Sequence, residues 1–128
     1  PVVLDEGLTE LSMLADAARA GYSGFALKTC KGHGFTLLCA AWARQRGMLL
    51  TMQDLTNPGL AAIQSALTAS RIHTANGIEL NSPQHTPAAN SEWLPALAPL
   101  LAPTDGVHRL PAKAPIGLGS QDLKGLYS

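Results

Sequence analysis

Short, uninterrupted apolar runs alternate with amphipathic stretches along this chain. Val2-Val3-Leu4, Phe25-Ala26-Leu27, Leu49-Leu50-Thr51-Met52 and Gly77-Ile78 are the runs. They do not alternate apolar with polar residues, which is the pattern of strands covered on both faces, as in a parallel sheet under helices. Between them the apolar spacing becomes helical. Leu11, Leu14, Ala15 and Ala18 form a stripe in a helix capped by Thr9 and ended near Ala20 by Gly21. Phe35, Leu38, Cys39 and Trp42 form the next, with Arg44, Gln45 and Arg46 in the last turn and Gly47 as terminator. The third helix takes Asn57 as cap and Pro58 as its first residue, and turns Leu60, Ile63 and Leu67 inward.

The predicted order is β-α-β-α-β-α-β, with strands near 1–5, 24–28, 48–53 and 77–81. Right-handed crossovers carry all the strand ends to one rim. Each apolar run ends in a polar residue, Asp5, Lys28, Gln53 and Glu79 in turn. Their period, about 25 residues, suits one strand, one helix and two short connections. Ligands of parallel α/β folds bind at the carboxyl ends of strands, so these residues read as an active-site floor. After Glu79 the pattern breaks. Asn81-Ser82-Pro83 and Pro87 make a turn-rich loop, Ser91 to Leu101 is a short helix interrupted by Pro95 and Pro99, and Pro111, Pro115, Gly117 and Gly119 exclude a long regular element beyond it. Pro115-Ile116-Gly117-Leu118-Gly119 has no strand before it or helix after it and is not read as phosphate-binding. Without a Gly-rich phosphate turn, two α/β architectures remain: an open flavodoxin-like sheet, or half of a (β/α)8 barrel. The regular period and a polar group at every strand end favour the half-barrel, over residues 1–102, followed by a Pro/Gly-rich tail over 103–128.

Composition narrows the class. The 128 residues amount to one domain, and 46% apolar content can fill a core. Only 14% of residues are charged, against roughly 25% in soluble domains, so much of the surface is expected to be covered by oligomerisation or by the rest of a larger molecule. Nine basic and nine acidic residues balance with no basic run, which argues against nucleic acid and anionic membranes as partners. No apolar segment has transmembrane length and no signal-like segment opens the chain, so a cytoplasmic location is expected. Cys30 and Cys39 are expected to be reduced thiols there. The chain opens at Pro1, without methionine and inside an apparent buried strand, which suggests a truncated amino terminus.

Several of these residues suit particular chemistry. Asp5 and Glu6 are adjacent, so in a strand only one of them faces the rim, where a carboxylate is a natural ligand for Mg²⁺; the bland alternative is an acid serving a helix dipole. Lys28 ends a buried strand. Desolvation and a nearby metal would lower its pKa and make it a base, whereas the plain alternative is a lysine snorkelling to water. Lys31 is a candidate contact for a substrate carboxylate or simply a solvated charge. Gln53-Asp54 and Glu79-Leu80-Asn81 end the later strands and either position substrate or Lys28, or satisfy backbone donors. His33, His73, His85 and His108 show no metal-ligand spacing.

Val3-Leu4-Asp5-Glu6, Ala26-Leu27-Lys28-Thr29-Cys30-Lys31-Gly32 one β-α unit later, Gln53-Asp54, Asn76-Gly77-Ile78-Glu79 and the late Pro115-to-Gly119 segment together resemble the enolase superfamily, in its mandelate racemase and muconate-lactonizing branch. The resemblance spans nearly the whole chain and covers only the carboxyl-terminal half of such a protein, from the fifth barrel strand onward. It implies that Asp5, or Glu6, is the last of three Mg²⁺ ligands and that Lys28 is the sixth-strand acid/base. The first barrel half, with the two earlier ligands and an opposing base, and the amino-terminal capping domain are missing from these residues. Gln53 stands where mandelate-type racemases carry a histidine, so the chemistry should rest on lysine.

The resulting expectation is Mg²⁺-dependent removal of the proton alpha to the carboxylate of a small substrate, leading to racemisation, epimerisation, elimination or cycloisomerisation in a homo-oligomeric enzyme. Lys28 and Glu79 are the candidate catalytic groups, Asp5 and Glu6 the metal ligands, and Lys31, Gln53, Asp54 and Asn81 the substrate contacts. Two rivals are a Schiff-base lysine of the aldolase kind and a non-catalytic α/β binding module whose apolar surface docks a partner.

Overall fold

A computed structural model describes residues 1–54, 56–91 and 93–110. The Pro115-to-Gly119 segment and most of the expected tail lie outside the described residues. The elements are β1 (Val3–Leu4), α1 (Ser12–Arg19), β2 (Gly24–Lys28), a 3₁₀ turn (Thr29–Lys31), α2 (His33–Arg44), β3 (Leu49–Gln53), α3 (Leu60–Ala69), α4 (Ser82–His85), a second 3₁₀ turn (Pro87–Asn90) and α5 (Leu94–Leu101). The strands form a parallel sheet in the order β1-β2-β3. The class is α/β, as the apolar runs predict.

Register explains which face is covered. Leu4 pairs with Phe25 and Phe25 with Leu50, while Leu27 pairs with Met52, so these side chains form two rows on one face. They pack with Leu14 and Ala17 of α1 and Cys39, Ala40 and Ala43 of α2 in one core. A second core joins Ala62, Ile63, Ala66 and Leu67 of α3 to Leu80 and to Leu97, Leu100 and Leu101 of α5. Val3, Gly24 and Leu49, then Ala26 and Thr51, then Lys28 and Gln53 share the opposite face. Gly24 is required where β2 meets β3, since a Cβ there would sit 2.1 Å from the Leu49 carbonyl oxygen.

Several local expectations are corrected. Thr9 does not cap α1; tight turns from Glu10 O to Met13 N–H and from Leu11 O to Leu14 N–H lead into it. Leu11 therefore precedes the helix and is exposed, Ala15 is exposed too, and the buried seam is Leu14 and Ala17, with Leu8 from the preceding loop filling the core. On α2 the seam is Thr36, Cys39, Ala40 and Ala43, small residues that let the helix lie close to the sheet. Phe35 and Trp42 only flank it, and Leu38 is exposed. α3 starts at Leu60 after Gly59, because the Asn57 side chain donates to Asp54 O and closes a turn instead of capping. α5 starts at Leu94, later than expected, and kinks at Leu97. β1 is half-buried, and Val2 before it is exposed.

The fourth strand, expected over 77–81, is reduced to a single parallel bridge between Gln53 and Glu79. Its ladder is interrupted because Gly77 turns the backbone to positive φ and the Asn76 side chain takes over the pairing. Asn76 Oδ1 accepts from Met52 N–H at 3.2 Å and its Nδ2 donates to Met52 O at 3.3 Å. Glu79 N–H then returns to Met52 O at 2.9 Å, and Asp54 N–H donates to Glu79 O at 3.1 Å.

Candidate active site at the strand ends

Lys28 is the last residue of β2, with extended backbone, and its side chain is fully buried on the face away from α1 and α2. The Thr36 hydroxyl of α2 donates to its carbonyl oxygen at 3.1 Å, fixing the point where strand gives way to helix. Its ammonium donates to Glu6 Oε1 and forms an ion pair with Asp5 Oδ1. The Asp5 oxygen is buried and has no hydrogen bond of good alignment.

The expectation that only one of Asp5 and Glu6 faces the rim is overturned. Strand alternation does not govern them, because β1 ends at Leu4 and a turn follows, closed by Leu8 N–H on Asp5 O at 3.0 Å. Leu8 is buried and anchors that turn in the core. Lys31 Nζ donates to Asp5 O at 3.2 Å and to Leu8 O at 3.0 Å. Its charge thus holds the loop that carries the two acids.

The electrostatics of Lys28 also reverse the expectation. Burial pushes its pKa down, but the hydrogen bonds and charges of Asp5 and Glu6 outweigh burial and raise it above the ordinary lysine value. In this arrangement Lys28 is a firmly held ammonium.

The other strand ends complete the row. Lys28 is in register with Gln53, and Gln53 bridges to Glu79, so the three lie side by side. Gln53 is half-buried and Glu79 exposed. The Asn81 amide donates to Glu79 Oε1 at 2.7 Å. Asp54 stands apart from the open rim. It is buried, and its carboxylate accepts N–H groups from Thr56 at 2.8 Å, Asn81 at 2.9 Å and Ser82 at 3.1 Å. With those bonds made, it is not free for the substrate contact expected of it.

Asp5 and Glu6 bring two carboxylates to one cationic group, and carboxylate oxygens are the donors that a hard divalent cation prefers. Among the described residues no group of three His, Cys, Asp or Glu side chains could hold a metal ion. A cavity of about 1110 Å³ lies elsewhere, lined by Arg44, Met48, Leu50, Arg71 and His73. Arg71 there donates to Leu67 O and serves the carboxyl end of α3.

Sequence reasoning missed the buried hydroxyl pair of Thr29 and Ser65, 2.6 Å apart, which ties the end of β2 to α3. It also missed the loop anchor Leu8. The signal for the Asp54 turn was present, because Asp followed two residues on by Thr56 and three on by Asn57 is an Asx-turn pattern. Among the described residues no helix is long and apolar enough to cross a membrane. Compared with models of protein families, with curated proteins and with solved structures, the chain matches none.

Proposed function

We propose that this chain is the carboxyl-terminal part of a (β/α)8 enzyme of the enolase superfamily, in its mandelate racemase and muconate-lactonizing branch, and that its strand-end site moves the proton alpha to the carboxylate of a small substrate. One observation carries the reading: a fully buried lysine ammonium meets two carboxylates at the carboxyl ends of adjacent parallel strands. Three parallel strands in consecutive order with α1 and α2 on a shared face support a sheet that curves into a barrel.

Lys28 is the acid/base. Paired with both carboxylates it holds its proton, which is the acid form. When Asp5 and Glu6 are engaged elsewhere, burial is the influence left on it, and burial lowers the pKa of an ammonium toward that of a usable base. Asp5 and Glu6 are the residues that would hold Mg²⁺, together with ligands from outside this chain. When bound, the metal offsets the negative charge that develops on the substrate carboxylate as the alpha proton leaves. Glu79, exposed and steadied by Asn81, faces the substrate from the other end of the row. Lys31 keeps the acid-bearing loop in place.

Exchange of the substrate's alpha proton with deuterated solvent tests the assignment. In the intact protein, Lys28→Ala is expected to slow exchange about 10²- to 10⁴-fold, the usual contribution of a general acid or base. Unchanged exchange would remove Lys28 from the mechanism. Expressed alone, the 128-residue chain is expected to bind Mg²⁺ weakly, and tight one-to-one binding by calorimetry would contradict a partial ligand set.

A further inference from the structure

We infer that Asp54 is a positioning residue that sets the Glu79 carboxylate through Asn81; the functional part of this inference rests on the proposed reaction. The Glu79 segment is joined to β3 by a single bridge. A fourth strand would have been located by a ladder of backbone bonds, and here something else must fix its end. Asp54, one residue beyond β3, does so with its carboxylate. One oxygen takes Thr56 N–H and closes the Asp54 turn, and the other takes Asn81 N–H and Ser82 N–H, the first donors of α4.

Asn81 is therefore held by its backbone, and its side chain reaches back to Glu79 Oε1 at 2.7 Å. The sequence of contacts runs from a buried acid, through a half-buried amide, to an exposed carboxylate in the row of Lys28 and Gln53. The buried position of Asp54 matters, because a carboxylate shielded from water holds its three N–H donors more firmly than an exposed one. Asparagine is the same size and cannot replace it. Its Oδ1 can still accept at Thr56, but its amide nitrogen then presents hydrogens to the N–H groups of Asn81 and Ser82.

The test has two arms. In protein labelled at asparagine nitrogen, the side-chain amide of Asn81 is expected to give two well-separated proton signals, one exchanging slowly with solvent. In Asp54→Asn these are expected to collapse to the values of a free amide, and unchanged signals would overturn the inference. In the intact protein, Asp54→Asn and Asn81→Ala are each expected to lower turnover about 10- to 100-fold, the scale of a misplaced reacting group. The double variant should match Asn81→Ala within about twofold, because the two residues act in series. Multiplicative losses would overturn the functional link even where the folded state is intact by urea titration. If the unaltered protein exchanges no alpha proton, the reaction class falls and with it the functional link, while the amide signals still decide whether Asp54 holds Asn81.

Discussion

Replacing Lys28 with methionine and removing its two acids are unequal perturbations. Lys28→Met puts an apolar side chain of similar length into a buried place but leaves the buried Asp5 oxygen without its cation, while Glu6 at 75% exposure can hydrate, so the stability measured by urea titration should fall by about 1–3 kcal/mol. Asp5→Ala with Glu6→Ala strands a buried ammonium and should cost about 3–5 kcal/mol. A second residue gives a pH signature. Burial pushes the Cys39 thiol up to about 11 from 9.0, with the Lys31 charge acting weakly the other way. A raised pKa means that the folded state holds the proton more tightly. The associated stability is whole below pH 9.0 and is lost as pH rises toward about 11, at most about 2–3 kcal/mol. Urea midpoints at neutral and strongly alkaline pH should show this fall, and Cys39→Ala should flatten it. The rim residues were legible in the sequence because each ends an apolar run. Their pairing was not: the two acids share one lysine only because β1 stops at Leu4, and a strand of that length leaves no periodic trace.

Elements show a similar division. Strand type and order follow from apolar runs too short for helices, and β2 and β3 lie where those runs predicted. Helix faces were harder to read, since Leu11 and Leu38 look like core residues while the buried seams use Ala17, Ala40 and Ala43. Close approach of helix to sheet selects small residues, and an index of side-chain hydrophobicity does not register that. The same closeness makes Gly24→Ala a severe change. A Cβ 2.1 Å from a backbone oxygen must push β2 and β3 apart, at about 1–3 kcal/mol or more, with faster amide exchange along both strands. The fourth strand could not be foreseen as a single bridge, because its pairing passes to the Asn76 side chain.

At the scale of the whole molecule, the low charge content has a visible counterpart. Leu37 and Leu38 are each 56% exposed, Leu11 is 44% exposed, and Leu49 on the sheet face away from α1 and α2 is 40% exposed. Such surface is expected to drive association of the isolated chain. Replacing Leu37 and Leu38 together with lysine should raise the concentration at which it stays monomeric in sedimentation, with little change in urea midpoint. The sequence announced this surface through composition without placing it, since charge content carries no positions. The Asp54 bonds have a mechanical consequence. They lock the turn after β3 to the segment after Glu79, so that flank of the rim moves as one body. The opposite flank, carrying Asp5 and Glu6, is tethered by two lysines, and Glu6 at 75% exposure lies open to screening by salt. The rim thus has a stiff side and a compliant side, and ionic strength is a dial on the compliant one alone.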